Sequence, residues 1–204
     1  TFILFEDKVG LALRERLMAA ARRGVRVALT IDGWGSPDLS DGFIHSLTSV
    51  GVQLHVFGPA PRLWRRLRLF RRLHRKLVVI DARLAFVGGI NYSADHLGDY
   101  GPQAKQDYAV EIEGPLVADI HRFALRTLRP ARARWWQRWR GRASASPPVV
   151  AQEAGRARAL FVTRDNRRHL DDIEHHYRLA IRRTQRELII ANAYFFPGLR
   201  LLRD

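Results

Sequence analysis

Cysteine is missing from the 204-residue chain, which excludes disulfides and thiolate metal sites; nothing in the sequence requires an oxidising compartment. Long apolar runs are missing too. No stretch approaches the ~18 residues needed to span a bilayer, and Thr1-Phe2-Ile3-Leu4-Phe5-Glu6 lacks the basic start and the length of a signal peptide. Methionine occurs once, at Met18 and not at the start. The chain opens in what reads as a strand and stops in what reads as a new helix, so it is expected to be a piece cut at both ends. Lysine is scarce, with Lys8, Lys76 and Lys105 against a total of 35 basic residues, and 20 acids leave a net charge of +15. That sign predicts attraction to polyanions, either nucleic acid or an anionic lipid surface. Part of the magnitude reflects genome composition, since alanine is abundant alongside arginine. What is there in quantity is apolar side chain: 47% hydrophobic content is ample for one large or two small cored domains.

The chain is organised around His74-Arg75-Lys76-Leu77-Val78-Val79-Ile80-Asp81, with Gly88-Gly89-Ile90-Asn91 following. Alternate residues of a strand share a face, so His74 and Lys76 point to one side while 77–80 supply its β-branched, apolar body. An imidazole beside an ammonium suits phosphoryl transfer, where one group attacks phosphorus and the other neutralises the phosphate oxygens. Asp81 sits at an odd offset from His74, and Asp81-Ala82-Arg83 reads as the turn of a hairpin returning along 84–87. It is expected to orient or brace the site, not to attack. Gly88 and Gly89 would let backbone approach a ligand closely. Asn91 would donate an amide hydrogen bond to a phosphate oxygen or to the histidine.

The spaced pattern His-x-Lys-x4-Asp-x6-Gly-Gly-x-Asn resembles the signature of the phospholipase D superfamily. With roughly 5% usage per residue type, six fixed positions would arise by accident in such a chain only about a few times in a million. The runs 32–36, 86–96, 99–102, 106–108 and 191–198 extend the likeness along almost the whole chain, toward the bacterial cardiolipin synthases. The resemblance implies an α/β fold. A phospholipase D-like lobe with a mixed central β-sheet, flanked by helices on both faces, would be followed by the beginning of a second similar lobe. The implied divisions are 1–128 for the first lobe, 129–158 for a basic Trp/Arg-rich segment and linker, and 159–204 for the start of the second.

Hydrophobic periodicity fills in the elements. Strands are expected at 2–5, 25–31 (buried on both faces), 52–57 and 108–112, and helices from Val9 to Gly24, over 40–50 and over 116–128. The loop Asp32-Gly33-Trp34-Gly35-Ser36 follows a strand end, where open α/β sheets bind ligands; it is either a pocket wall or a simple exposed turn. The loop 92–105 would bring Asp95, His96 and Asp99 to the site. Adjacent Asp95 and His96 do not have metal-ligand spacing, and no metal is assigned. Two segments hold six arginines each and no acid: 61–73, with an apolar stripe at helical spacing, and 129–142, with Trp135, Trp136 and Trp139. Each fits an interfacial helix on an anionic bilayer, and each also fits an ordinary helix with solvated arginines; the second could instead stack on single-stranded bases. Beyond the linker at 144–148, strands at 159–163 and 187–193 and a helix over 171–183 are expected. The segment after Tyr194 resembles the opening of the chain come round again, and a second His-x-Lys would fall near position 266, roughly one repeat later.

The resemblance implies phosphatidyl transfer without metal or other cofactor. His74 would attack a phosphatidyl donor while a histidine of the second lobe protonates the leaving alcohol, or the two roles would be exchanged between lobes. With phosphatidylglycerol as acceptor the product is cardiolipin; with water the reaction is hydrolysis. The implied partners are an anionic phospholipid, the membrane surface and the second lobe. The implied location is peripheral, at the cytoplasmic side of the bacterial membrane. The competing reading is a homodimeric nuclease of the same superfamily. The charge suits it, but the second repeat and the amphipathic basic segments speak against nucleic acid.

Overall fold

The computed structural model describes residues 1–58, 72–128, 152–165 and 169–191, and divides the chain into two compact units, Thr1–Arg156 and Ala157–Asp204. In the first unit, helix α1 (Lys8–Arg22) begins where the Asp7 carboxylate accepts the N–H groups of Val9 and Gly10, satisfying two donors that the helix itself cannot pair. It ends at Gly24, whose φ of 87° only glycine adopts without strain. Strand β1 (Ala28–Asp32) follows, then α2 (Asp41–Ser49), started by the Ser40 hydroxyl accepting from Phe43 N–H at 3.0 Å. Strand β2 (Gln53–Phe57) runs parallel to β1. A parallel pair needs a crossover, and α2 is that crossover. Leu4, Met18, Ile31, Phe43, Leu47 and Val52 close this half around one buried cluster.

The second half of the unit is an antiparallel meander. Strand β3 (Lys76–Ile80) pairs with β4 (Leu84–Gly88), which pairs with β5 (Ala109–Glu113). Helix α3 (Leu116–Leu128) packs on all three strands and reaches β1, and Ala85, Val117 and Ile120 are buried. The β3–β4 turn has positive φ at both Asp81 (52°) and Ala82 (55°), with Arg83 N–H bonded to Ile80 C=O at 3.0 Å. Two left-handed residues in succession match the right-handed twist of the strands they join.

The α/β character is as expected, but the single mixed sheet is not formed: β1–β2 and β3–β4–β5 are separate sheets. The expected strand at 2–5 is reduced to one bridge, Leu4 with Tyr92. The cause is local. The N–H of Ile3 goes to the Asn91 side chain and that of Leu4 to the Ser36 hydroxyl, so neither can extend a ladder. The strand expected from position 25 begins at Ala28, because Val25 N–H is spent on the Ala20 carbonyl at the end of α1, and Val25 is exposed.

In the second unit, helix α4 (Asp172–Arg183) lies where a helix was expected. The strands expected at 159–163 and 187–193 are not there over 159–163 and 187–191, and 192–193 lie outside the described residues. A strand exists only by pairing, and Leu160, Leu188, Ile189 and Ile190 are left exposed with no ladder among the described residues. The basic segment 61–71 and the Trp/Arg segment 129–142 also lie outside the described residues, as does the start of the expected repeat from Tyr194.

Two glycines give opposite expectations. A Cβ at Gly10 would sit 1.7 Å from the Phe5 carbonyl oxygen, whereas at Gly42 nothing is nearer than the Ser40 hydroxyl at 3.8 Å. Gly10→Ala should therefore destabilise by about 2 kcal/mol or more, and Gly42→Ala should stabilise by roughly 0.5–1 kcal/mol. Thermal melts of the two variants check both signs.

Candidate active site

The register of the meander brings three separate stretches to one end of the sheet. Lys76 lies opposite Gly88, and Gly88 lies opposite Ala109. Residues 74–76, 88–91 and 106–109 therefore converge, while Asp81 sits at the other end of β3, about five residues and roughly 16 Å away along the strand. His74 and Lys76 share a side, as alternation requires. The Lys76 ammonium is 3.3 Å from each ring nitrogen of His74 and 3.3 Å from its carbonyl oxygen. Phe2 backs both groups: its ring centroid is 4.7 Å from that of the imidazole and 5.2 Å from the ammonium.

This environment sets the charge state. Partial burial pushes the His74 pKa down from its ordinary value of 6.5, the Lys76 charge pushes it further down, and the carboxylates of Asp32 and Asp107 pull the other way. Burial also lowers the Lys76 pKa, against an opposing pull from Asp107. The imidazole is thus kept neutral and nucleophilic near neutral pH beside a cation able to meet phosphate oxygens.

Two acids in this arrangement had no assigned role in the sequence. Asp32 is 2% exposed. Its Oδ1 accepts the N–H groups of Trp34 (2.9 Å) and Gly35 (3.0 Å), and its Oδ2 accepts the N–H of Leu73 at 2.6 Å. One carboxylate thereby fastens the loop after β1 to the residue before His74. An aspartate at a strand end followed by Gly-x-Gly is the available signal, since such residues bond the backbone two or three positions on. The second acid is Asp107, whose carboxylate occupies the space that a Cβ at Gly89 would need, 2.1 Å from its Oδ1. Its signal is topological: an acid just before the third strand of a meander lies at the same end of the sheet as the start of the first, across the second strand.

The glycines were expected to admit a ligand. Gly88 admits the chain itself, since its Cβ would lie 2.3 Å from the Tyr108 carbonyl oxygen, and Gly89 makes room for Asp107. Asn91 Oδ1 accepts from Ile3 N–H at 3.2 Å, and its amide nitrogen has no partner among the described residues. The contacts of Asp95, His96 and Asp99 are made within their own loop and to α1. Asp95 is bonded to Ser93 and paired with Lys105, His96 Nε2 is 4.0 Å from Asp95, and Asp99 pairs with Lys8 of α1 at 2.6 Å. They brace the 92–105 loop. Among the described residues no group of three or more His, Asp or Glu is placed to hold a metal ion.

A two-part α/β lobe with histidine and lysine alternating at one end of its meander is a phospholipase D-like domain. The family described as the PLD-like domain of cardiolipin synthase matches residues 3–124, and the chain belongs to that family. Cardiolipin synthase B of Salmonella typhi is 57% identical over 206 residues, covering 99% of this chain and 48% of the relative. Cardiolipin synthase B of Escherichia coli (strain K12) is 53% identical over 205 residues with the same coverage. Cardiolipin synthase A of Pseudomonas fluorescens is 37% identical over 118 residues, 57% of this chain and 25% of the relative. The chain thus spans about half the length of the curated relatives it matches.

The His74 environment predicts a titration order. In imidazole NMR of the chain, His74 should titrate below 6.5; Lys76→Met should raise its pKa by removing a like charge, and Asp107→Asn should lower it by removing an opposite one.

Proposed function

We propose that the chain is half of the active site of a cardiolipin synthase-type phosphatidyltransferase, acting with a second phospholipase D-like lobe. The observation that carries this reading is the Lys76 ammonium poised 3.3 Å from both nitrogens of a pKa-depressed His74, inside a domain of this family. His74 attacks the phosphorus of a phosphatidylglycerol-type donor, the P–O bond to the departing alcohol breaks, and a histidine of the second lobe supplies that alcohol's proton. The hydroxyl of a second phosphatidylglycerol then attacks the phosphohistidine, giving up its proton to the same partner histidine, and cardiolipin leaves.

Lys76 balances charge on the phosphate oxygens throughout. The amide nitrogen of Asn91, with its oxygen held by Ile3, is the donor offered to those oxygens. Gly88 and Gly89 let the strand ends approach one another closely beside His74 and Lys76, and Asp81 serves the turn. The resemblance calls for no cofactor. The net charge of +15 favours an anionic membrane surface, and no helix among the described residues is long and apolar enough to cross one. Peripheral attachment at the cytoplasmic face of the bacterial membrane accords with both.

The test uses the chain extended to the full length of its relatives. Phosphatidylglycerol vesicles should yield cardiolipin, and His74→Gln should lower the rate by at least about a thousandfold. Labelled donor should leave acid-labile label on histidine. Nicked plasmid DNA with unaltered lipid would replace this reading with the nuclease. The 204 residues alone, as monomers, should turn over lipid at least about a hundredfold more slowly for want of the second acid–base group.

A further inference from the structure

Arg72 lies two residues before His74 and Lys76 two residues after it. In extended chain, alternate side chains share a side and repeat about every 6.6–6.8 Å. The contacts agree with that sidedness. His74 and Lys76 both meet Phe2, and the Arg72 guanidinium lies 4.3 Å from the ring centroid of Trp34. Trp34 and Phe2 adjoin through Gly35, where a Cβ would stand 2.4 Å from the Phe2 carbonyl oxygen and 2.9 Å from its ring. Guanidinium and imidazole therefore adjoin one aromatic surface made by Trp34 and Phe2, with the ammonium against the imidazole. The Asp32 carboxylate holds Leu73, the residue between Arg72 and His74.

Lys76 and His74 are used by the transfer chemistry, and Arg72 is not. It is exposed, and Trp34 beneath it is 51% exposed. Stacking occupies the flat face of a guanidinium and leaves its N–H edge for a planar pair of acceptors such as phosphate oxygens, with little side-chain freedom left to lose. The site thus offers one cation, Lys76, for the phosphate that reacts and, on the other side of His74 in the chain, a second, Arg72, for a phosphate that does not.

We infer that Arg72, held on Trp34, binds the phosphodiester of the incoming acceptor lipid, so that the second half-reaction selects an acceptor carrying its own phosphate. The inference rests on the phosphatidyltransferase reading and names the acceptor's subsite within it. As the acceptor's glycerol oxygen bonds to phosphorus, the N–P bond to His74 breaks and the hydroxyl proton passes to the histidine of the second lobe. The reacting phosphorus and the acceptor's own are then joined by a three-carbon diester bridge, comparable in length to one two-residue step of extended chain, the step in sequence from His74 to Arg72. Water and neutral alcohols have nothing to place on Arg72.

The chain extended to its relatives' full length, carrying Arg72→Gln, is to be given phosphatidylglycerol vesicles with and without 1-butanol as a neutral acceptor. Cardiolipin formation should fall by about 10- to 100-fold, the value of one charge-assisted contact, while phosphatidylbutanol formation stays within about twofold. Arg72→Lys should restore part of the difference, and Trp34→Ala should reproduce part of the loss. Both products falling together, or neither changing, would overturn the subsite. A wild-type protein making neither product would overturn the transfer reading itself, an outcome visible before any variant is compared.

Discussion

The first unit depends on a buried carboxylate. Asp32 lies at the end of β1 with three backbone N–H groups on it, and a side chain without a charge could not hold all three equally well: an asparagine would set an amide N–H against that of Leu73. Taking a carboxylate out of water is costly unless hydrogen bonds replace the water, and here they do so at both oxygens. The result is a rigid connection between two sheets that share no ladder. Through it the parallel pair dictates where the meander's first strand begins. The 33–36 loop then carries Phe2 and Trp34 into place through Gly35 and Ser36, so the aromatic backing of the site is set by the same contact.

The meander supplies the other constraint. Antiparallel pairing makes the start of β3, the end of β4 and the start of β5 neighbours, and the chemistry-bearing residues sit at that shared end. Close approach is what the two glycines provide. Without side chains at 88 and 89, the β4 end lies against Tyr108 and Ala109 with the Asp107 carboxylate beside it, so a negative charge stands next to a lysine and a histidine that repel each other when both are charged. The site is thus a balance of one cation, a neutral imidazole and two carboxylates, tuned by partial burial.

Much of this could be read from the sequence, for identifiable reasons. Helices α1, α2 and α3 announce themselves by apolar spacing and by Asp7, Ser40, Gly24 and Pro115 at their ends, all local signals. The His74–Lys76 pairing follows from strand alternation alone. What sequence hides is whatever depends on partners distant in the chain. The N–H groups of Ile3 and Leu4 are captured by Asn91 and Ser36, which no local pattern reveals, and so an apparent strand at 2–5 is a single bridge. Likewise the split into two sheets, the grip of Asp32 on a residue 41 positions on, and the pairing of Asp95 and Asp99 with Lys105 and Lys8 are tertiary facts. The apolar stretches around 160 and 189 look like strands because composition records the capacity to pair, not the pairing.

The hairpin tip carries a last consequence. With its φ of 52° at Asp81 and 55° at Ala82, the tip bends the chain through a conformation most residues resist, at the end of β3 remote from His74. Histidine and lysine share one side at one end of the pattern; the aspartate answers to the geometry of a reversal at the other. A spaced pattern that the eye takes for one constellation is therefore two separate placements at the two ends of a five-residue strand, and a substitution at either end would act on the protein by a different route.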